Sequence, residues 1–380
     1  MKIGLISFHN AANYGAALQA YALERFLEDN GYDCEYIDYQ NTRRRRGYDM
    51  GFLIKDCIRQ GNFKDAVKYA AGAPFLNYRK KQFDSFYKKF VKYSSKTYFN
   101  SESLNETNGL YDCFMTGSDQ IWNPEHNGSD LNFLLDFVTD DRRKMSYSSS
   151  LSVTHLPSEL EEGYCRCLNQ MRHLSVREKS GACLIKDLTG CDAQVVLDPV
   201  FLLKKEQWLS MLPERKEKDS FVFSYTNRKN QMGRFLSKTG YDMTGKLHYK
   251  LSRFTTPLDF INPKVRVKYT MSPLEFLNYI NNAELVVSAS FHCISFSIIL
   301  NKPFVCFLTG NEGKDERLKT LLGSFGLMNR VFTDTMSIQD VMEPINYSKV
   351  NTILSDLSQK SKNYLLNALS DIQDCINDIS

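Results

Sequence analysis

The sequence predicts an α/β protein made of two Rossmann-like domains with a cleft between them and a long C-terminal helix. Three observations carry that expectation. Strand-type and helix-type patterns alternate from the first residues onward, which favours largely parallel sheets. The alternation breaks at Asp198-Pro199 and restarts at Phe221-Val222-Phe223-Ser224-Tyr225. Residues 348 to 376 then hold one helical pattern without interruption. A length of 380 residues suits two or three domains at roughly 100–200 residues each. The expected division is 1–203, 204–345 and a terminal helix over 346–380.

Lys2 to Phe8 reads as the first strand. A polar turn over 9–15 follows, then AALQAYALERFLEDNG with apolar residues at helical spacing and Gly31 placed as a C-terminal cap. Cys34 to Tyr39 is the next strand. Residues 41–110 look less regular and read as an insertion. Within it, YRKKQFDSFYKKFVKY puts Phe83, Phe86, Tyr87 and Phe90 on one helical face. That face either packs on its own domain or lies on a membrane surface, and ordinary packing is the plainer reading. Tyr111 to Met115 is a strand feeding a loop at 116–123. Further strands are expected at Met145–Ser149, Leu174–Val176 and Gln194–Leu197. Leu203 to Ser220, charged and interrupted by Pro213, reads as a linker. In the second block Ser272-Pro273-Leu274-Glu275 is a helix start, with Ser as N-cap, Pro at the first position and Glu at the third.

The net charge is +4, with 42% apolar and 24% charged residues, as for an ordinary globular chain. The charge is uneven: residues 41–100 hold fifteen Lys/Arg against four Asp/Glu. A local excess of that kind points to an anionic partner or a membrane surface rather than to nucleic acid. The ten cysteines form no CxxC pair, and several sit in apolar runs. The expectation is a reducing, cytoplasmic setting with free thiols. No window approaches 18 apolar residues, so no membrane span is expected. The six histidines are scattered, and no metal site is expected.

Open α/β sheets bind ligands beyond the carboxyl ends of their strands. That directs attention to four loops: 9–15, 116–123, 177–181 and 288–293. His292 falls at a strand-to-helix turn in SASFHCISFSIIL. It is either a hydrogen-bonded core residue or a proton carrier beside an anion held by the helix start. Arg177, after the strand-like Leu174-Ser175-Val176, is either a bidentate anion contact or a salt-bridge partner of Glu178 or Asp198. The loop Thr116-Gly117-Ser118-Asp119-Gln120-Ile121-Trp122-Asn123-Pro124 carries the side chains that grip sugars, or else it is a self-satisfied turn with a packing tryptophan. Asp38 lies where a dinucleotide fold keeps its ribose acid, but neither GxGxxG nor GxxxxGKS occurs. Arg43 to Arg46 is a solvated loop or a contact with a diphosphate or an anionic leaflet, the latter worth about 1 kcal/mol per residue.

Taken together and in order, several segments resemble the polysaccharide pyruvyl transferases. They are Asn13-Tyr14-Gly15-Ala16-Ala17-Leu18-Gln19-Ala20-Tyr21-Ala22-Leu23, Gly117 to Pro124, Ser175-Val176-Arg177-Glu178, Asp198-Pro199, and Ser290-Phe291-His292 with Asn301-Lys302-Pro303-Phe304-Val305. The resemblance implies a GT-B-like fold. It also implies transfer of the pyruvyl group of phosphoenolpyruvate to two hydroxyls of one sugar, with no cofactor. Arg177 matches the family's donor-binding arginine and His292 its catalytic histidine. Many members carry arginine two residues before that histidine, where this chain has Ser290; Lys314 and Arg317 are candidates to supply the missing charge. Asn13, Tyr14, Asp119, Gln120, Trp122 and Asn123 are expected on the acceptor side. The acceptor would be a sugar of a surface or capsular polysaccharide, free or lipid-linked, with the basic 41–100 region meeting the membrane surface. Two other readings stay open: a nucleotide-sugar glycosyltransferase on the same scaffold, and a non-catalytic sugar-binding relative, which Ser290 favours.

Overall fold

A computed structural model of the chain describes residues 1–41, 50–214, 219–226, 231–251, 263–268 and 270–378. Arg43 to Arg46 lie outside the described residues. The chain divides into a first unit, Met1–Leu202 with Leu357–Ser380, and a second unit, Leu203–Asp356.

The first unit runs β1 (Lys2–Ile6), α1 (Tyr14–Asp29), β2 (Asp33–Tyr39), α2 (Met50–Arg59), α3 (Phe63–Phe90), β3 (Tyr93–Tyr98), β4 (Cys113–Thr116), β5 (Lys144–Ser146), α4 (Ser158–Asn169), β6 (Ser175–Val176), α5 (Lys179–Thr189) and β7 (Gln194–Val195). The main sheet has the order β3-β2-β1-β4-β5, and every pairing in it is parallel. β6 and β7 form a parallel pair, and parallel bridges Met145–His173 and Ser149–Val176 attach that pair beside β5. The order reverses between β1 and β4, so the carboxyl ends of these two strands flank the topological switch point where doubly wound folds bind ligands.

After Lys2, β1 is apolar and buried from Ile3 to Ile6, as expected where helices cover both faces of a parallel sheet. Asn13 caps α1, its side-chain oxygen accepting from the backbone N–H of Gly15 at 2.9 Å. Small residues Ala16, Ala17, Ala20 and Ala22 are all buried and let α1 lie close to the sheet. Gly31 closes α1 with φ of +83°, the left-handed geometry expected at that position.

The described part of 41–110, read from the sequence as an insertion, contributes to the main sheet. It contains β3, the edge strand of that sheet, which pairs with β2 and is preceded by α2 and α3. On α3, Phe83, Phe86 and Tyr87 are buried. Tyr14 and Phe83 meet at 5.1 Å between ring centroids. That face therefore packs on its own unit, as the plainer reading had it.

The second unit runs β8 (Phe221–Tyr225), α6 (Gln231–Thr239), β9 (Leu247–Leu251), β10 (Val265–Lys268), α7 (Pro273–Asn282), β11 (Leu285–Ser288), α8 (Phe291–Ile299), β12 (Phe304–Cys306), α9 (Glu312–Ser324) and the start of α10 (Tyr347–Asn377). Its sheet repeats the first topology, β10-β9-β8-β11-β12, again parallel throughout. Here the order reverses between β8 and β11. The capping box at Ser272 forms as expected, with Glu275 N–H donating to Ser272 Oγ at 3.2 Å and Ser272 N–H to Glu275 Oε2 at 2.8 Å. Leu203 to Ser220 is not simply a linker: Lys205–Leu209 is a short helix whose Trp208 is fully buried edge-on against Phe296 at 4.9 Å.

α10 starts in the second unit and ends in the first. Its later half buries Leu365, Ala368, Leu369 and Ile372. Ser358 Oγ donates to Phe201 O at 2.8 Å, and Leu197 N–H donates to Ser361 Oγ at 3.0 Å. Among the described residues no helix is long and apolar enough to cross a membrane.

One buried acid lies apart from the switch points. The Glu24 carboxylate of α1 accepts the Lys92 backbone N–H at 2.9 Å, while the Lys92 ammonium pairs with Glu28. Burial pushes the Glu24 carboxyl up to about 8, against the pull of the Lys92 N–H and with Glu28 adding to the rise. A folded-state value above the unfolded one means the folded chain holds the extra proton between the two. Stability should therefore fall as pH rises from about 5 to about 8, by a few kcal/mol at about 1.4 kcal/mol per pKa unit. Glu24→Gln should match the parent near pH 5 and exceed it above pH 8 in urea denaturation. Parallel pH profiles for the two would show that Glu24 titrates normally.

Candidate active site

In the first unit the carboxyl ends of β4, β5, β6 and β7 converge on a buried polar cluster. β4 delivers the loop 117–123. Gly117 has φ of +130°, and a Cβ there would lie 2.1 Å from Tyr147 O, so only glycine lets the loop turn this close to the strand beside it. Asp119 follows in the left-handed region with φ of 65°. Ser118 Oγ shares its one proton between Ser148 O and Asp198 Oδ2, each 3.0 Å away. Asp198 Oδ2 also accepts from Arg177 Nη1 at 2.6 Å, and Asp119 Oδ1 lies 3.7 Å from Arg177 Nη2. The Arg177 side chain is 1% exposed and that of Asp198 0%. Glu178 points elsewhere: its Oε1 accepts from Ser150 Oγ at 2.9 Å and from the N–H groups of Leu151 and Ser152 at 3.0 and 3.1 Å.

The expected acceptor residues separate by exposure. Asn13 is exposed, Gln120 is half-buried and Asp119 is nearly covered. Tyr14, Trp122 and Asn123 are buried and present no face to a sugar. Trp122 Nε1 donates to Phe133 O at 3.0 Å, so the tryptophan is the packing residue of the loop. Asn123 Oδ1 caps the short helix Pro124–Asn127, while its Nδ2 donates to Gln120 Oε1 at 3.1 Å and so orients Gln120. The Tyr14 ring lies under the guanidinium of Arg79, 4.9 Å away. Sequence reasoning overlooked Gln19. Buried on α1, it donates to Ser7 Oγ at 3.1 Å and accepts from Ser118 N–H at 3.3 Å, tying the 117–123 loop to the end of β1. A polar residue on the apolar side of an Ala-rich helix was the available signal. Asp38 is engaged by Thr97 Oγ1 at 2.6 Å and His9 Nε2 at 3.4 Å. Burial raises its carboxyl, but these hydrogen bonds outweigh it and hold Asp38 below the usual range.

In the second unit the switch point carries His292. Ser288 Oγ donates to Tyr225 O at 2.5 Å and accepts from Ser290 N–H at 3.0 Å, joining the ends of β8 and β11. Ser290 is the N-cap of α8, its Oγ accepting from Cys293 N–H at 3.5 Å. That role suits serine, among the preferred N-cap residues. His292 occupies the first turn of α8 and is 6% exposed. β12 leads to the 309–311 loop, which Asp315 gathers by accepting from Thr309 N–H, Thr309 Oγ1 and Gly310 N–H at 2.6–2.7 Å. Lys314 and Arg317 sit one turn apart on α9, where Asn311 caps the helix through the Lys314 N–H at 3.0 Å. The Arg317 guanidinium lies 5.9 Å from the Phe291 ring centroid, and Phe291 stands edge-on to His292 at 5.2 Å. The structure thus brings Ser290, His292 and Arg317 to one corner of the second unit.

A family model, "Polysaccharide pyruvyl transferase", matches residues 13–311. The chain belongs to the polysaccharide pyruvyl transferase family. No curated protein matches its sequence. Among solved structures it is similar to the UDP-GlcNAc 2-epimerase of Neisseria meningitidis bound to UDP-GlcNAc. Identity is 11%, coverage is 98% of this chain and 100% of that one, and the TM-score is 0.55. It is also similar to the UDP-N-acetylglucosamine 2-epimerase of Rickettsia bellii, at 10% identity, 99% and 98% coverage and a TM-score of 0.52. At such identities the likeness is one of fold, and the fold is GT-B-like, with two Rossmann-like units. The family match begins at the N-cap of α1 and ends at the N-cap of α9, so for this pyruvyl transferase family member it takes in the first cluster together with Ser290 and His292, while Lys314 and Arg317 lie just beyond it.

Two consequences can be measured. Arg177→Met leaves the Asp198 carboxylate buried without its cation and should cost about 3–5 kcal/mol in urea denaturation. Adding Asp198→Leu should return most of that loss; a single-variant loss below about 1 kcal/mol would show that the pair does not hold the cluster. Gly117→Ala should displace the 117–123 loop and lower the thermal midpoint, whereas an unchanged midpoint would mean the loop has another way to turn.

Proposed function

We propose that this chain transfers the pyruvyl group of phosphoenolpyruvate to two hydroxyls of one sugar residue, forming a cyclic ketal and releasing phosphate. The observation that supports this reading is His292 in the first turn of α8, at the switch point of the second sheet, within the span of the family match. In the reaction the methylene carbon of phosphoenolpyruvate gains a proton and C2 becomes electrophilic. A sugar hydroxyl adds at C2, the C2–O bond to phosphate breaks, and a second hydroxyl closes the ring. Of the two hydroxyl protons one balances the proton taken up by the methyl group, and the other leaves with phosphate or solvent. Such a step requires a positioned proton carrier and cations for a carboxylate and a phosphate.

His292 is assigned the proton transfer. The N–H groups at the start of α8 together with Arg317 and Lys314 are assigned the donor anion, in place of the arginine that Ser290 replaces. The resemblance assigns Arg177 to the donor; its burial and its pairing with Asp198 favour a role in holding the 117–120 loop. Asn13, Asp119 and Gln120 are assigned to the acceptor. The acceptor is read as a sugar of a surface polysaccharide or its lipid-linked precursor.

A thermal-shift titration tests the donor, with UDP-GlcNAc as control. Phosphoenolpyruvate at about 100 times its dissociation constant should add roughly 2.7 kcal/mol of stability. His292→Ala should keep that shift while phosphate release falls by about 10²–10⁴-fold. A shift with UDP-GlcNAc and none with phosphoenolpyruvate would overturn the donor assignment.

A further inference from the structure

The apolar face of α3 that the sequence singled out is buried, yet the same helix carries a second apolar stripe that is not. Phe63, Val67, Ala70, Pro74 and Tyr78 follow one another at steps of four, three, four and four residues, so they share one helical face. All five are exposed: Phe63 by 65%, Val67 by 68% and Tyr78 by 53%, with Ala70 and Pro74 open as well. Phe83, Phe86, Tyr87 and Arg79 occupy the opposite side and are buried. Ile58, at the end of α2, is a further exposed apolar residue at 49%. Single exposed apolar residues are common, whereas a contiguous row marks an interaction surface.

The charge around the stripe says what meets it. Residues 50–96 hold eleven Lys/Arg and three Asp/Glu. Lys55 and Arg59 on α2, and Lys64, Lys80 and Lys81 on α3, are exposed. A second copy of this chain laid on the stripe would bring like charges together. An anionic, apolar partner fits both features. The stripe runs roughly 22 Å along α3 at 1.5 Å per residue. An amphipathic helix with aromatic residues on one face and lysines beside them lies in the headgroup region of a bilayer.

We propose that α3 docks the chain onto an anionic lipid surface through Phe63, Val67 and Tyr78, with the lysines of α2 and α3 on the headgroups. The buried side of the same helix holds the loop after β1: Arg79 Nη2 donates to Ala12 O at 3.2 Å and Tyr87 OH to Ala11 O at 2.9 Å. Docking therefore places the loop that ends at Asn13 within one helix diameter of the bilayer. The docking does not depend on which donor the chain uses.

The test is co-sedimentation of the full chain with vesicles of equimolar phosphatidylglycerol and phosphatidylcholine, against vesicles of phosphatidylcholine alone. Binding to the anionic vesicles is expected, weakened by high salt. It should fall by about tenfold or more in Phe63→Ser/Val67→Ser/Tyr78→Ser and in Lys64→Glu/Lys81→Glu. The thermal midpoints of both variants, and phosphate release with a soluble acceptor, should stay near those of the parent. Absence of binding by the parent, or equal binding by the apolar variant, would overturn the proposal. So would a parent dimer that the apolar variant dissolves in sedimentation velocity, since the stripe would then be covered by a second copy.

Discussion

Asp198 accepts from Arg177 and from Ser118 inside the first unit, and with those two bonds one buried carboxylate joins the end of β7 to the ends of β6 and β4. A charge placed there without a partner would be costly, so arginine and aspartate must be fixed together or not at all. Once fixed, they set where the chain leaves β4. The loop then turns at Gly117, passes Asp119 in a left-handed conformation, and is braced from below by Gln19, Ser148 and Trp122. The exposed and half-exposed groups Asn13 and Gln120 are thus carried on backbone held by buried neighbours. Rigid support under a polar rim is what a site for a hydroxyl-rich ligand requires.

The second unit reaches the same end by a lighter device. Ser288 bridges β8 to β11 and hands its oxygen to Ser290, which in turn caps α8. No buried ion pair is needed, because the strand end and the helix start share one short turn. His292 inherits its place from that turn, and Arg317 reaches the same corner from α9 through the ring of Phe291. Both sheets keep the order in which the first strand lies at the reversal. The two halves therefore offer equivalent positions to different chemistry, as expected where function is grafted onto a repeated scaffold.

Much of this was legible before the structure. The alternation of periods two and 3.6 marked most strands, and Gly31 and Ser272 marked helix ends by their own stereochemistry. The edge strand β3 was missed because YSSKTY is polar and half-exposed, so it lacks the apolar run of a central strand. β6 and β7 are only two residues each, yet both fall inside the strands expected at Leu174–Val176 and Gln194–Leu197. The positions of His292, Ser290, Arg177 and the 117–123 loop could be read from strand-to-loop transitions. Burial could not. Nothing local distinguishes Trp122 packed under its loop from Trp122 offered to a sugar, and nothing local says which of two apolar faces of α3 the first unit covers. Gln19 was hidden in the same way, since its partner Ser118 lies 99 residues away.

The route of α10 has a consequence for how the chain is made. The first unit is discontinuous: its last helix, which covers Leu197 and Phe201, follows the whole of the second unit in sequence. At synthesis rates of about 5–20 residues per second, the intervening 154 residues of Leu203–Asp356 take roughly 8–30 s to appear. For that interval the first sheet is present without its final helix, and the apolar ground under Leu365, Leu369 and Ile372 faces the solvent of the nascent chain. The second unit can close as soon as it emerges, so on the ribosome the half that begins later is free to finish first.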